Sequence, residues 1–103
     1  MPGKKTISFV AKPSAGFFDF SLSVGNVILT MIQVNDKEHV GKIKLMTGRW
    51  HALSWKLWGD EGTTMAITVK DAKGVEITGA SVKETKVHPL TLYRHNDKPF
   101  FLT

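Results

Sequence analysis

The chain has 103 residues and a mass of 11.4 kDa, which suits a single domain over residues 1–103 and leaves no room for a second. Its 42% hydrophobic and 22% charged residues exclude a disordered chain, and the absence of cysteine excludes disulfides, thiolate metal sites and cysteine nucleophiles. Fourteen basic residues stand against nine acidic ones, a net charge of +5 that leans towards polyanionic partners.

The start, Met1-Pro2-Gly3-Lys4-Lys5, carries two lysines. The stretch after it is broken by Ser8, Lys12 and Pro13, so it does not read as a secretory leader. The longest apolar stretch, residues 27–34, is interrupted by Thr30 and Gln33 and falls far short of the ~18 residues of a membrane-spanning helix. The expectation is a cytoplasmic protein, and leaderless export fits the same sequence.

Valine, isoleucine and threonine are abundant, while alanine and glutamate are scarce. β-Branched side chains suit a pleated surface and lose rotamers in a helix, so the bias favours strands. No segment has a capped 3.6-residue apolar period. Short alternating runs are instead punctuated by turn residues: Pro13 to Gly16, Gly25-Asn26, Asn35 to Lys37, Thr47-Gly48, Gly59 to Gly62, Asp71 to Gly74 and His95 to Lys98. That rhythm predicts an all-β fold.

In the second strand Phe18, Phe20, Leu22 and Val24 form the inward face. A two-residue Gly25-Asn26 turn pairs Val24 with Val27, Leu22 with Leu29 and Phe20 with Met31, and glycine at its first position suits type II′. The third strand then has a second apolar face of Ile28, Ile32 and Val34. Left uncovered, these three residues are a predicted interface for a second copy.

Further on, Ile43 and Leu45 alternate with Lys42 and Lys44, and Leu53, Trp55 and Leu57 alternate with Ala52, Ser54, Lys56 and Trp58. A Thr47-Gly48-Arg49 loop would pair Ile43 with Leu53. A loop over residues 59–63 would pair Leu57 with Met65, Trp55 with Ile67 and Leu53 with Val69. The result is a predicted three-stranded meander whose opposite face carries Lys42, Lys44, Trp50, Lys56, Trp58 and Lys70, in a segment with no acid between Glu38 and Asp60. Residues 75–78, 81–87, 90–94 and 99–103 read as shorter strands.

Catalytic chemistry has little support. Of the four histidines, none lies in a motif that would aim it as a base at a nucleophile. His51 reads as a hydrogen-bonded histidine at the core margin, and His88-Pro89 as an extended corner. Asp60, Glu61, Asp71 and Glu76 occupy turn sequences, where they serve the backbone. No histidine spacing suits a metal, and none of the nine glycines forms a phosphate-binding G-x-x-x-x-G-K loop, so no cofactor is expected.

The architecture expected is a small antiparallel β-sandwich of seven or eight strands with immunoglobulin-like or jelly-roll character, ahead of an OB-like barrel. The expected function is a non-enzymatic binding module. Its basic, tryptophan-bearing face would take an anionic or ring-bearing ligand, single-stranded nucleic acid or an acidic glycan, because lysines neutralise anionic groups and indoles stack on bases or sugar rings. The alternative is an assembly module that forms a homodimer through Ile28, Ile32 and Val34.

Overall fold

A computed structural model describes residues 3–77, 79–87 and 92–103. Among them are nine strands and no helix: β1 (Lys4–Pro13), β2 (Phe17–Val24), β3 (Val27–Ile28), β4 (Ile32–Gln33), β5 (His39–Met46), β6 (Arg49–Gly59), β7 (Thr64–Asp71), β8 (Val82–Lys86) and β9 (Tyr93–Leu102). They form two antiparallel sheets, β4-β5-β1-β7-β8 and β3-β2-β6-β9, hereafter the first and second sheets. The sandwich expected from the alternation is therefore what the chain forms, from two separate ladders rather than one closed barrel.

The core lies between the sheets. The first contributes Ile7, Phe9, Ala11, Leu45, Met65, Ile67 and Val69; the second contributes Leu22, Val24, Leu53, Trp55, Leu57, Phe100 and Leu102. These are alternate residues of each strand, as a period of two demands when one face is buried. Phe9 and Phe100 meet across the gap edge to face, with ring centroids 6.4 Å apart.

The Gly25-Asn26 hairpin forms in the expected register, with Val24 opposite Val27 and the Leu29 amide donating to the Leu22 carbonyl at 2.9 Å. Gly25 has φ +59° and Asn26 is not in the left-handed region, which is the type II′ pattern. Beyond Ile28 the chain leaves this ladder and crosses to the first sheet, so Phe20 and Met31 are not ladder partners.

The meander does not form. β5 pairs with β1 and β4, β6 with β2 and β9, and β7 with β1 and β8. The connections after β5 and β6 cross between sheets. Ile43 and Leu53, or Leu57 and Met65, do point into the same interior, but from opposite sheets instead of as neighbours in one ladder. Inward alternation is satisfied equally by both arrangements, and β1, with Ile7, Phe9 and Ala11 inward, wins the place between β5 and β7.

Other expectations fail locally. Phe18 is 63% exposed because the β2–β6 register slips between Phe17 and Asp19, and the extra residue turns outward. Phe20 and Ile43 are half-buried at the core margin. His95 to Lys98 is not a turn: it lies mid-strand in β9, paired with Lys56, Trp55, Ser54 and Leu53 of β6. A ten-residue partner ladder outweighs local turn propensity there. Residues 75–77 form only an isolated bridge, Glu76 to Lys70, after a turn in which the Asp71 carboxylate accepts from the Lys73 and Val75 amides. His88-Pro89, Thr78 and residues 90–91 lie outside the described residues.

Candidate ligand-binding face

Because β5 and β7 belong to one sheet and β6 to the other, the residues expected on a single face occupy two opposite ones. Lys42, Lys44 and Lys70 lie on the outside of the first sheet, with Ser8 of β1 between Lys42 and Lys70 in one cross-strand row. Trp50, Lys56 and Trp58 lie on the outside of the second. The error follows directly from the mistaken meander: each residue's outward parity was right, but the sheet to which it belongs was not.

The lysine face carries its own counter-charge. Lys12 Nζ lies 3.7 Å from a Glu38 carboxylate oxygen. Asn35 Nδ2 donates to the other oxygen at 2.9 Å. That hydrogen bond is the main reason the Glu38 carboxyl is held below its usual value; desolvation opposes it, and the charges of Lys12 and Lys70 add to the lowering.

The outer face of the second sheet has a different pattern. Its cross-strand rows run Asp19–Trp58–Tyr93, Ser21–Lys56–His95, Ser23–Ser54–Asp97, Ala52–Pro99 and Trp50–Phe101. An aromatic pair stands at each end: Trp50 and Phe101 with centroids 5.6 Å apart and nearly perpendicular, and Trp58 and Tyr93 at 5.0 Å and inclined by 32°. Trp50 is 67% exposed, and Phe101 and Trp58 are exposed at 40% and 36%. The two tryptophans are eight residue steps apart along β6, a span of about 27 Å. Between them the face is polar, with hydroxyls from Ser21, Ser23 and Ser54, the Lys56 ammonium, and His95 Nε2 3.5 Å from an Asp97 oxygen.

Tyr93, His95 and Phe101 were missed in the sequence. Their signal is the β9 alternation Tyr93-His95-Asp97-Pro99-Phe101, hidden by the turn-like composition at its centre. His51 is at the core margin as expected: its Nε2 lies 2.8 Å from the Met46 carbonyl, and its ring packs on Phe100 at 5.7 Å. Among the described residues, no group of three or more His, Asp or Glu side chains is arranged to hold a metal, and no helix is long and apolar enough to cross a membrane.

Ile28, Ile32 and Val34 are 75%, 64% and 57% exposed. They do not share one strand face: Ile28 belongs to β3 of the second sheet and Ile32 to β4 of the first. All three lie along the edge where the chain crosses between sheets, beside a groove of about 560 Å3 lined by Thr30, Ile32, Val34, Val40 and Lys42.

Comparison with protein-family models, with curated proteins and with solved structures finds no match to this chain.

Proposed function

We propose that this protein is a non-enzymatic binding module that takes a glycan along the outer face of its second sheet. The observation that carries the reading is the pair of exposed aromatic clusters, Trp50 with Phe101 and Trp58 with Tyr93, flanking a polar centre on one sheet face. Flat indole faces stack on the apolar faces of sugar rings, while serine hydroxyls, Lys56 and His95 between them meet sugar hydroxyls. An exposed indole pair costs hydration that a face serving solubility alone does not require.

The same geometry weighs against single-stranded nucleic acid. A strand-tracking site needs cations beside its stacking rings, so that phosphates are neutralised while bases stack. Here Lys42, Lys44 and Lys70 are on the other side of the sandwich, and Lys56 shares its face with Asp19 and Asp97. The test is a panel of soluble polysaccharides and single-stranded oligonucleotides, each at low and high salt. Retention by a polysaccharide in preference to the oligonucleotides supports the reading. Tighter retention by oligonucleotides, falling steeply with salt, overturns it.

A second reading rests on the exposed edge. Ile28, Ile32 and Val34 offer exposed apolar side chains beside two short edge strands, β3 and β4, which have no further neighbouring strand among the described residues. Both features suit association with a second copy. The two surfaces adjoin, because Ile28 continues the Ser23–Ser54–Asp97 row of the outer face of the second sheet, while Ile32 and Val34 lie beyond it.

A further inference from the structure

At the edge opposite β3 and β4, the sandwich is closed by β8 and β9. The inward positions of β9 change character along the strand. Leu102 and Phe100 are buried, but the next three in the same parity are Lys98, Asn96 and Arg94. Their β6 partners are Leu53, Trp55 and Leu57, all in the core. Apolar side chains would be the ordinary choice at such positions. Polar ones leave a cleft of about 420 Å3 between the sheets, lined from β8 by Thr85 and Lys86 and backed by Trp55.

Two further observations mark this cleft. Lys98 Nζ donates to the Ser81 carbonyl at 2.6 Å, which holds its ammonium at the cleft wall. Trp55 is 4% exposed and backs the cleft, with its Nε1–H buried and no acceptor for it among the described residues. Among the described residues, three cations, Lys86, Arg94 and Lys98, line the cleft against the carboxylate of Asp97 at its rim. The surplus of positive charge selects an anion. The volume exceeds by more than tenfold the ~30 Å3 that a water occupies in the liquid, so the anion is attached to an organic body.

We propose that this cleft binds the carboxylate end of an acidic sugar. Arg94 presents a planar fork of donors that matches a carboxylate, Lys86 and Lys98 add charge, Asn96 and Thr85 meet ring hydroxyls, and the Trp55 ring backs the sugar. The inference takes the sugar from the glycan reading above and the acid from the cleft itself. Asp97 joins the two sites, because it stands in a cross-strand row of the outer face and also lines the cleft. An acidic residue of a glycan lying on that face therefore reaches the cleft around β9.

The experiment is a titration of the full chain followed by the indole N–H resonances, with Trp50→Phe and Trp58→Phe used to assign the Trp55 signal by elimination. Glucuronate, glucose and inorganic phosphate are added separately. Glucuronate is expected to move the Trp55 resonance saturably, while glucose and phosphate move it far less, and Arg94→Gln is expected to weaken glucuronate binding about tenfold. Arg94 is exposed, so its replacement leaves the fold intact. A Trp55 signal that ignores glucuronate overturns the proposal, as does an equal response to glucose or to phosphate. A Trp55 response to glucuronate in a protein that retains no polysaccharide overturns the outer-face reading alone. Polysaccharide retention with an unresponsive Trp55 overturns the cleft alone.

Discussion

Replacing single tryptophans by alanine separates the two environments that the fold creates. Trp55 is 4% exposed and Trp50 is 67% exposed, although both are on β6. Burying a side chain of this kind removes ~200 Å2 from water. At ~25 cal/mol per Å2, losing that burial at Trp55 costs ~5 kcal/mol, near the top of the ~3–5 kcal/mol found for large aromatic truncations in cores. Trp50 has about a third of its surface buried, worth ~1.5 kcal/mol, and its edge-to-face contact with Phe101 adds ~1 kcal/mol. The two variants should therefore differ by ~2–3 kcal/mol, a large fraction of the ~5–15 kcal/mol that stabilises a domain. Urea unfolding followed by far-ultraviolet circular dichroism reads the difference as a shift in midpoint at unchanged slope. Trp55→Phe should cost much less than Trp55→Ala, because it keeps a ring and removes the unpartnered N–H. Equal costs for Trp50→Ala and Trp55→Ala, or a larger cost at Trp50, would refute the assignment of inner and outer faces on β6.

Three more outcomes are expected. A Cβ at Gly59 would sit 2.8 Å from the Gly16 carbonyl oxygen and 2.6 Å from Thr63 Oγ1. Gly59→Ala should therefore destabilise by ~1–3 kcal/mol, whereas Gly3→Ala, with open space around it, should be silent in the same urea assay. Sedimentation velocity across a concentration series should detect self-association, and Ile28→Ser with Ile32→Ser should abolish it; a monomer at every concentration removes the edge as an interface. The Glu38 carboxyl should titrate below the ordinary glutamate range by side-chain carbon resonances, and Asn35→Ala should raise it. Because its folded-state pKa is lowered, its small contribution is present at neutral pH and is lost as pH falls through that lowered value.

The outward or inward parity of most residues in β5, β6 and β7 was readable in the sequence, since Leu45, Leu53, Trp55, Leu57, Met65, Ile67 and Val69 are all buried. Parity is a property of one strand and its pleat, and it needs no knowledge of the partner. Pairing was readable only where a two-residue turn imposed it, at Gly25-Asn26. The Thr47-Gly48-Arg49 loop reads as a hairpin between neighbouring strands and instead joins strands of different sheets, with the Gly48 amide donating to the Leu102 carbonyl at 2.6 Å. Nothing local distinguishes these cases, because the choice depends on β1 and β9, both distant in sequence. The candidate site was lost in the same way. Lysines and indoles with the same parity were merged into one face, and the β9 residues that complete the aromatic face were read as a turn and a fragment.

The proposed ligand face is the aromatic outside of the second sheet and not the lysine-bearing outside of the first. The most direct measurement is the affinity of a retained polysaccharide for three proteins by isothermal titration: the wild type, Trp50→Ala with Trp58→Ala, and Lys42→Gln with Lys44→Gln and Lys70→Gln. All three are checked for folding by circular dichroism. Stacking on one ring contributes ~1–3 kcal/mol when measured by alanine substitution on bases. Loss of both indoles should accordingly weaken binding by at least about tenfold, while the lysine variant binds as the wild type does. A folded double-tryptophan variant with undiminished affinity, or a lysine variant that has lost it, would contradict the account.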